Sequence, residues 1–181
     1  HSLKGEDKDY IIENDFVKLT VSNLSGAITS AEIKNYITYD SLPLVLFTKN
    51  TSQFSFLLDY QKQVYSQDLY FEPVLDGFVS DNKYIAPGEN FVFKMRLFPK
   101  DEQGNKIGSS YMEYEYILSG DDYMLDFNLN LNGMQDYVSR GYDEITLNWG
   151  QSLRGLEKDV EQEIKQTTVF YKYKNDDVKD L

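Results

Sequence analysis

The chain has 181 residues, no cysteine, and 18 basic against 30 acidic side chains, which gives a formal net charge of −12. This length is typical of one domain with a substantial hydrophobic core, and 41% hydrophobic residues exclude a disordered chain. The lack of cysteine excludes thiol catalysis, iron–sulfur clusters and cysteine-bound zinc. The negative charge, without any basic cluster, argues against nucleic-acid binding. No apolar stretch reaches the ~20 residues that span a bilayer.

Alternating apolar and polar residues predict strands throughout the first half of the chain. In the range 16–22, Val17, Leu19 and Val21 share one face, which we expect to point into the core. Gly, Pro, Asn and Ser residues mark turns between the strands. The predicted strands cover residues 10–14, 16–22, 27–36, 44–47, 53–59 and 68–74.

The second half continues with long strands. The ranges 90–98 and 110–119 flank the polar loop 101–105, which predicts a hairpin, and 123–131 returns after a Gly-Asp-Asp turn. In 123–131 every second residue is apolar, as in a half-buried antiparallel strand. Two further strands are predicted at 144–149 and 168–173.

One segment has helical rather than strand periodicity. Leu156, Val160 and Ile164 recur every four residues, and Glu161 with Lys165 forms a favourable i,i+4 pair. We therefore predict a short amphipathic helix or an ordered loop at 156–166. About ten strands with turns every ~8–12 residues indicate an all-β sandwich or barrel, with little helix.

The sequence offers little to catalysis. Its single histidine, His1, stands beside Ser2 and is interpreted as a cloning remnant. Without histidine, a Ser-His-Asp triad and a histidine metal centre are both excluded, and we expect no cofactor and no metal. The chain is therefore predicted not to be an enzyme.

Adjacent carboxylates are the remaining candidates for chemistry. A glycosidase needs two carboxylates across a cleft, but 30 acidic residues produce adjacent pairs by chance, and we expect solvated turns. The loop 101–105 lacks the alternating spacing of a calcium loop. The pairs are Asp121–Asp122, Asp143–Glu144 and Asp176–Asp177.

Aromatic residues are abundant, with 15 Tyr, 11 Phe and one Trp. Trp149 and Arg154 are candidate anchors for a binding partner because Trp and Arg dominate interface hot spots. The alternative places Trp149 in the core and Arg154 in an internal ion pair. Tyrosines that fit a sugar- or peptide-binding groove fit a half-buried sheet face as well: Tyr111, Tyr114, Tyr116, Tyr171 and Tyr173.

Several stretches together resemble a known family. They read ENDFVKLTVSN at 13–23, GAITSAEIKNY at 26–36 and TYDSLPLVLF at 38–47, followed later by Leu147-Asn-Trp149 and Phe170-Tyr-Lys172. Their order is similar to the large periplasmic domain of the YidC membrane protein insertases, in the form seen in Bacteroidetes. Leu153-Arg154, Glu157-Lys158 and Glu161 add to the likeness.

The resemblance implies a β-supersandwich, an elaborated two-sheet antiparallel sandwich similar to galactose-mutarotase-like domains. It implies a place on the periplasmic side of the bacterial inner membrane, between the first two transmembrane helices of a multi-pass protein. That protein inserts and folds membrane proteins, alone or with the Sec translocon. Its insertion activity belongs to a groove among transmembrane helices, so we assign no insertase residue here.

We therefore expect a non-enzymatic interaction or scaffold domain that is soluble, monomeric and tethered by helices outside this chain. Its partners would be Sec translocon subunits and nascent membrane proteins. The alternative is an independent carbohydrate-binding or carbohydrate-modifying β-sandwich. The expected organisation is a cloning remnant or flexible segment at 1–9, the periplasmic β-sandwich at 10–174 and a charged tail at 175–181.

Overall fold

The computed structural model describes residues 3–60, 62–101, 103–138, 144–153, 155–173 and 175–180. These residues form strands with little helix, as the sequence predicts. The first eight strands are β1 (Asp9–Glu13), β2 (Val17–Ser22), β3 (Ile28–Ile37), β4 (Pro43–Phe47), β5 (Ser52–Tyr60), β6 (Lys62–Tyr65), β7 (Glu72–Val74) and β8 (Asn82–Tyr84). They continue with β9 (Asn90–Leu97), β10 (Tyr111–Ser119), β11 (Leu125–Asn132), β12 (Leu147–Gln151), β13 (Phe170–Tyr171) and β14 (Lys179–Asp180); the helices are α1 (Gln135–Val138) and α2 (Val160–Gln166), with a 3₁₀ turn at Ser66–Asp68.

The strands form several sheets. The first has the order β4-β3-β2-β1-β8, the second β11-β10-β9-β7 and the third β12-β5-β6, while β13 pairs with β14 alone. All pairings are antiparallel except that of β1 with β8. The predicted all-β sandwich is confirmed, and the parallel β1–β8 pair is an addition that the alternation did not indicate.

The core lies between the inner faces of these sheets. The Tyr10 ring of β1 meets the Phe93 ring of β9 at 5.9 Å between centroids, which joins the first and second sheets. The Tyr116 hydroxyl of β10 donates to the Gly26 carbonyl at 2.8 Å and ties the second sheet to the β2–β3 turn. Burying the apolar face of each strand supplies the main driving force for this packing. The core includes Val17, Leu19, Val21, Phe56, Phe71, Met95, Leu97, Met112, Tyr114 and Leu118.

A buried polar side chain joins two turns of the sandwich. Asn14 donates through Nδ2 to the carbonyls of Ser119 (2.6 Å) and Asp122 (2.8 Å). Its Oδ1 accepts from the amides of Phe16 (2.8 Å) and Val17 (2.7 Å). Asn14 is fully buried, so these four bonds offset the cost of removing its amide from water. They fix the β1–β2 turn against the β10–β11 turn.

The predicted helix at 156–166 is shorter in the structure. α2 begins at Val160, because Asp159 caps it by accepting from the Gln162 amide at 3.1 Å. Leu156 therefore lies outside the helix, and no residue of α2 is buried. α1 is an element that the sequence did not indicate. β14 lies within the range predicted as a charged tail.

Candidate interaction surfaces

The acidic pair Asp121–Asp122 lies in the β10–β11 turn. Asp121 Oδ2 accepts from the Gly88 amide at 2.9 Å, and Asp122 Oδ1 accepts from the Tyr123 amide at 2.6 Å. Both carboxylates therefore stabilise turns, as the sequence predicts. Asp176 pairs with Lys179 at 3.0 Å, whereas Asp143 lies outside the described residues. The described part of the chain holds no group of three His, Asp or Glu side chains arranged to bind a metal.

Trp149 lies on an edge strand and faces solvent. It is the central residue of β12, opposite Phe54 of β5, and its ring meets the Phe54 ring edge-to-face at 6.1 Å. Its side chain is 74% exposed, so the alternative that places it in the core is wrong. The other candidate anchor, Arg154, lies outside the described residues. Among the described residues, β12 is the outer strand of its sheet and has no second strand partner, so its other edge is a candidate for strand pairing.

A small cleft lies beside Phe54. Its volume is about 150 Å³, which is below the ~300–1,000 Å³ of typical small-molecule sites. The Gln53 amide donates to Gln67 Oε1 at 3.0 Å at its wall, and Lys49 approaches Asp7 at 3.6 Å. A cleft of this size suits one side chain of a bound polypeptide. Its lining also includes Leu24, Ser25, Ile28 and Phe54.

The outer face of the second sheet is polar. Glu113 is only 4% exposed, because Arg96 contacts it at 2.6 Å and Lys94 at 3.7 Å on the neighbouring strand. Lys94 also lies 2.9 Å from Glu115. The hydrogen bond from Lys94, with one from Asn128, holds the pKa of Glu115 below its usual value. Glu113 and Glu115 are therefore both neutralised by basic side chains of the neighbouring strand.

Four of the five tyrosines proposed for a groove divide into two groups, and the fifth, Tyr111, is half-buried. Tyr114 and Tyr116 are buried in the core, and the Tyr114 hydroxyl lies 2.8 Å from Ser66 Oγ. Burial raises the pKa of Tyr114, although the Ser66 hydrogen bond opposes this. Tyr173 is exposed and meets the Tyr171 ring at 5.7 Å. For Tyr114 and Tyr116 the core interpretation is confirmed.

A second exposed aromatic surface was not found from the sequence. It comprises side chains from four segments that meet at one end of the sandwich, and we call it the tyrosine surface. Its members within 36–42 are close together in the sequence. The remaining members are distant in the sequence and come together only in the fold. Its exposed members are Tyr36, Ile37, Tyr39, Leu42, Tyr84, Tyr123 and Met124, and the half-buried Phe16 packs against Tyr123.

The fold and the surfaces together define an elaborated β-sandwich with exposed apolar side chains at Trp149 and at the tyrosine surface. No protein-family model matches the chain. A relative from Parabacteroides distasonis named "Membrane protein insertase YidC" is 33% identical over 182 residues, which cover 99% of this chain and 26% of the relative. Relatives of the same name from Phocaeicola vulgatus and Cytophaga hutchinsonii are 30% and 29% identical, over 93% and 94% of this chain.

The chain is thus homologous to one region of the YidC membrane protein insertases, and the resemblance of its sequence is confirmed. It spans about a quarter of the length of these relatives, at 24–26% for the first three matches. Among the described residues, no helix combines the length and the apolar character needed to cross a membrane.

Proposed function

We propose that this chain is the periplasmic domain of a YidC-type membrane protein insertase and acts as a non-enzymatic interaction and scaffold domain. The observation that carries the proposal is homology to insertases over 99% of the chain. The domain would span residues 10–174 and hold the exposed surfaces on the outer side of the inner membrane. In the full-length protein its partners would be Sec translocon subunits and nascent membrane proteins.

The proposed mode is weak binding of polypeptides at a sheet edge or an aromatic cleft by a monomeric domain. Trp149 supports this, because a largely exposed Trp on β12, the outer strand of its sheet among the described residues, combines backbone pairing groups with an aromatic anchor. Arg154, five residues later, is the second proposed anchor. The net charge of −12 disfavours docking on anionic lipid headgroups.

The test combines two measurements. The isolated chain is sedimented with anionic liposomes, and the full-length insertase is crosslinked from a photoreactive residue placed at Trp149. The matched control places the same residue at Asn128, on the outer face of the second sheet. We expect little liposome binding and polypeptide adducts at Trp149 only. Strong liposome binding without polypeptide adducts would contradict the proposal.

The second candidate is a carbohydrate-binding or carbohydrate-modifying sandwich. The observation in its favour is the cleft beside Phe54, whose lining combines the hydrogen-bonded side-chain amides of Gln53 and Gln67 with apolar residues. We expect no turnover on a panel of sugars. Turnover that Glu144→Gln abolishes would establish this second function instead.

A further inference from the structure

The tyrosine surface is held together by contacts between separate turns. The Phe16 and Tyr123 rings meet edge-to-face at 5.0 Å. Burial and, to a smaller extent, the neighbouring Tyr36 raise the pKa of Tyr123. The Tyr84 hydroxyl donates to Asp15 Oδ1 at 2.6 Å. Together with the Asn14 bonds to Ser119 and Asp122, these contacts give the surface a fixed arrangement, because each turn is anchored to another.

The composition of the surface is typical of a binding site. Ile37, Tyr39 and Met124 are each more than 60% exposed, although burial would stabilise all three side chains. Contiguous exposed apolar groups mark interaction sites, and Tyr and Met are enriched in the cores of protein interfaces. Tyr36 and Leu42 extend the same patch along the β3–β4 hairpin.

The charges around the surface indicate what would bind there. Asp15, Asp40 and Asp121 are exposed, and so are Asp122 and Glu89. Their carboxylates accept hydrogen bonds from hydroxyls or backbone amides, and none forms an ion pair within the described part of the chain.

Lys34 is a cation beside the surface, and it already has partners. Lys34 contacts Glu13 at 2.7 Å and donates to the Asn14 carbonyl at 2.6 Å. Lys34 also lies over the Tyr84 ring, 6.0 Å from its centroid, so Tyr84 already has a cation beside it. Away from Lys34, the surface is apolar and aromatic in the middle and negative around it. This pattern repels an anionic lipid surface and complements a cation that stacks on Tyr rings.

We propose that the tyrosine surface binds a polypeptide segment that carries Lys or Arg next to apolar side chains. The proposal rests on the proposed function and deepens it by naming the chemistry of the partner. The apolar side chains of the segment pack on Ile37, Tyr39 and Met124. Its cations approach the Asp15 and Asp40 carboxylates and the faces of the tyrosine rings other than Tyr84, which Lys34 already covers.

The experiment titrates the 181-residue chain with two short synthetic peptides and follows backbone amide shifts by NMR. One peptide places Lys beside Leu, and its counterpart carries Glu in place of each Lys. We expect shifts at the tyrosine surface with the Lys peptide only, and weaker binding as salt rises. Equal binding of both peptides, or no binding of either, would overturn the proposal.

Variants of the chain locate the site. Tyr39→Ser with Met124→Ser is expected to weaken binding about tenfold, as loss of an interface anchor does. Asp15→Asn and Asp40→Asn keep their acceptor oxygens and are expected to weaken it about threefold each. Asp126→Asn, on the outer face of the second sheet, is the charge control. All these side chains are exposed. Because Asp15 and Asp40 accept hydrogen bonds from Tyr84 and Thr38, the circular dichroism spectrum verifies the folding of each variant.

Two further outcomes separate this proposal from the proposed function. If Trp149→Ser abolishes binding of the Lys peptide and the Tyr39/Met124 variant does not, polypeptide binding stands but the tyrosine surface is not its site. If the chain sediments with neutral phosphatidylcholine vesicles and the Tyr39/Met124 variant does not, the surface binds lipid and the proposal is overturned.

Discussion

Residues 3–138 enclose the hydrophobic core, whereas the described residues of 144–180 contribute no buried side chain. Both regions are rich in apolar residues. In the first, β2, β9 and β10 each turn one apolar face towards another sheet. In the second, Ile164 of α2 and Phe170 of β13 are exposed. Apolar content alone therefore does not define a core; a second layer must cover it.

The exposed surfaces also differ in what they offer to a binding partner. On the outer face of the second sheet, ion pairs such as Arg96–Glu113 already engage the charged side chains. These side chains therefore contribute little to the binding of a partner. Trp149 and the tyrosine surface leave apolar side chains in water. If the core lies in 3–138, substitutions there change stability. Substitutions at exposed positions of 155–180 change only local structure or binding, whereas Ile145 packs against the core.

The largest expected effect is in the core. Phe93→Ala removes a fully buried ring that contacts Tyr10 and Phe78 and is expected to lower the free energy of unfolding by ~3–5 kcal/mol. Phe170→Ala removes the same side chain from an exposed site and is expected to cost less than ~0.5 kcal/mol. Urea unfolding measures both. A comparable loss for Phe170→Ala would show that the second region contributes to the core as well.

The next largest effect concerns Asn14, the buried side chain that joins two turns. Asn14→Ala leaves two carbonyls and two amides without their partner and is expected to cost ~2–3 kcal/mol. The matched control Asn128→Ala removes one exposed hydrogen bond to Glu115 and should cost less than ~0.5 kcal/mol. Thermal unfolding distinguishes them, and equal costs would show that the two turns are not joined through Asn14.

A smaller effect depends on pH. The Lys94 hydrogen bond lowers the pKa of Glu115 in the folded state, so the pair stabilises the fold above the unfolded pKa of ~4.3. This contribution is lost as the pH falls through the lower folded pKa. Glu115→Gln is expected to cost ~0.2–1 kcal/mol at neutral pH and nothing at strongly acid pH. The free energy of unfolding of both proteins is measured from neutral to strongly acid pH. A cost of Glu115→Gln that does not change with pH would contradict the account.

The smallest expected effect on global stability concerns α2, in the region outside the core. Asp159→Ala removes the cap of α2, which is worth ~0.5–2 kcal/mol to a helix. Because α2 buries nothing, the urea midpoint of the whole chain should not move, while the NMR carbon shifts of α2 lose their helical values. A lower midpoint would mean that α2 is part of the cooperative unit.

Strict alternation of apolar and polar residues made the long strands predictable from the sequence. The ranges 90–98 and 110–119 became β9 and β10, and Val17, Leu19 and Val21 form a buried face as expected. The parallel pairing of β8 was not predictable, since a three-residue strand carries no periodicity. The exposure of Trp149 and the assembly of the tyrosine surface depend on contacts between distant segments, which local patterns do not contain.

Amide hydrogen exchange, measured residue by residue on the 181-residue chain, tests most directly whether one sandwich carries the core. We predict the slowest exchange in β2, β9 and β10, where both neighbours are paired and the side chains are buried. The amides of α2 and β13 should exchange much faster than these, because no side chain of either element is buried. Protection in α2 and β13 equal to that in β10 would contradict the account.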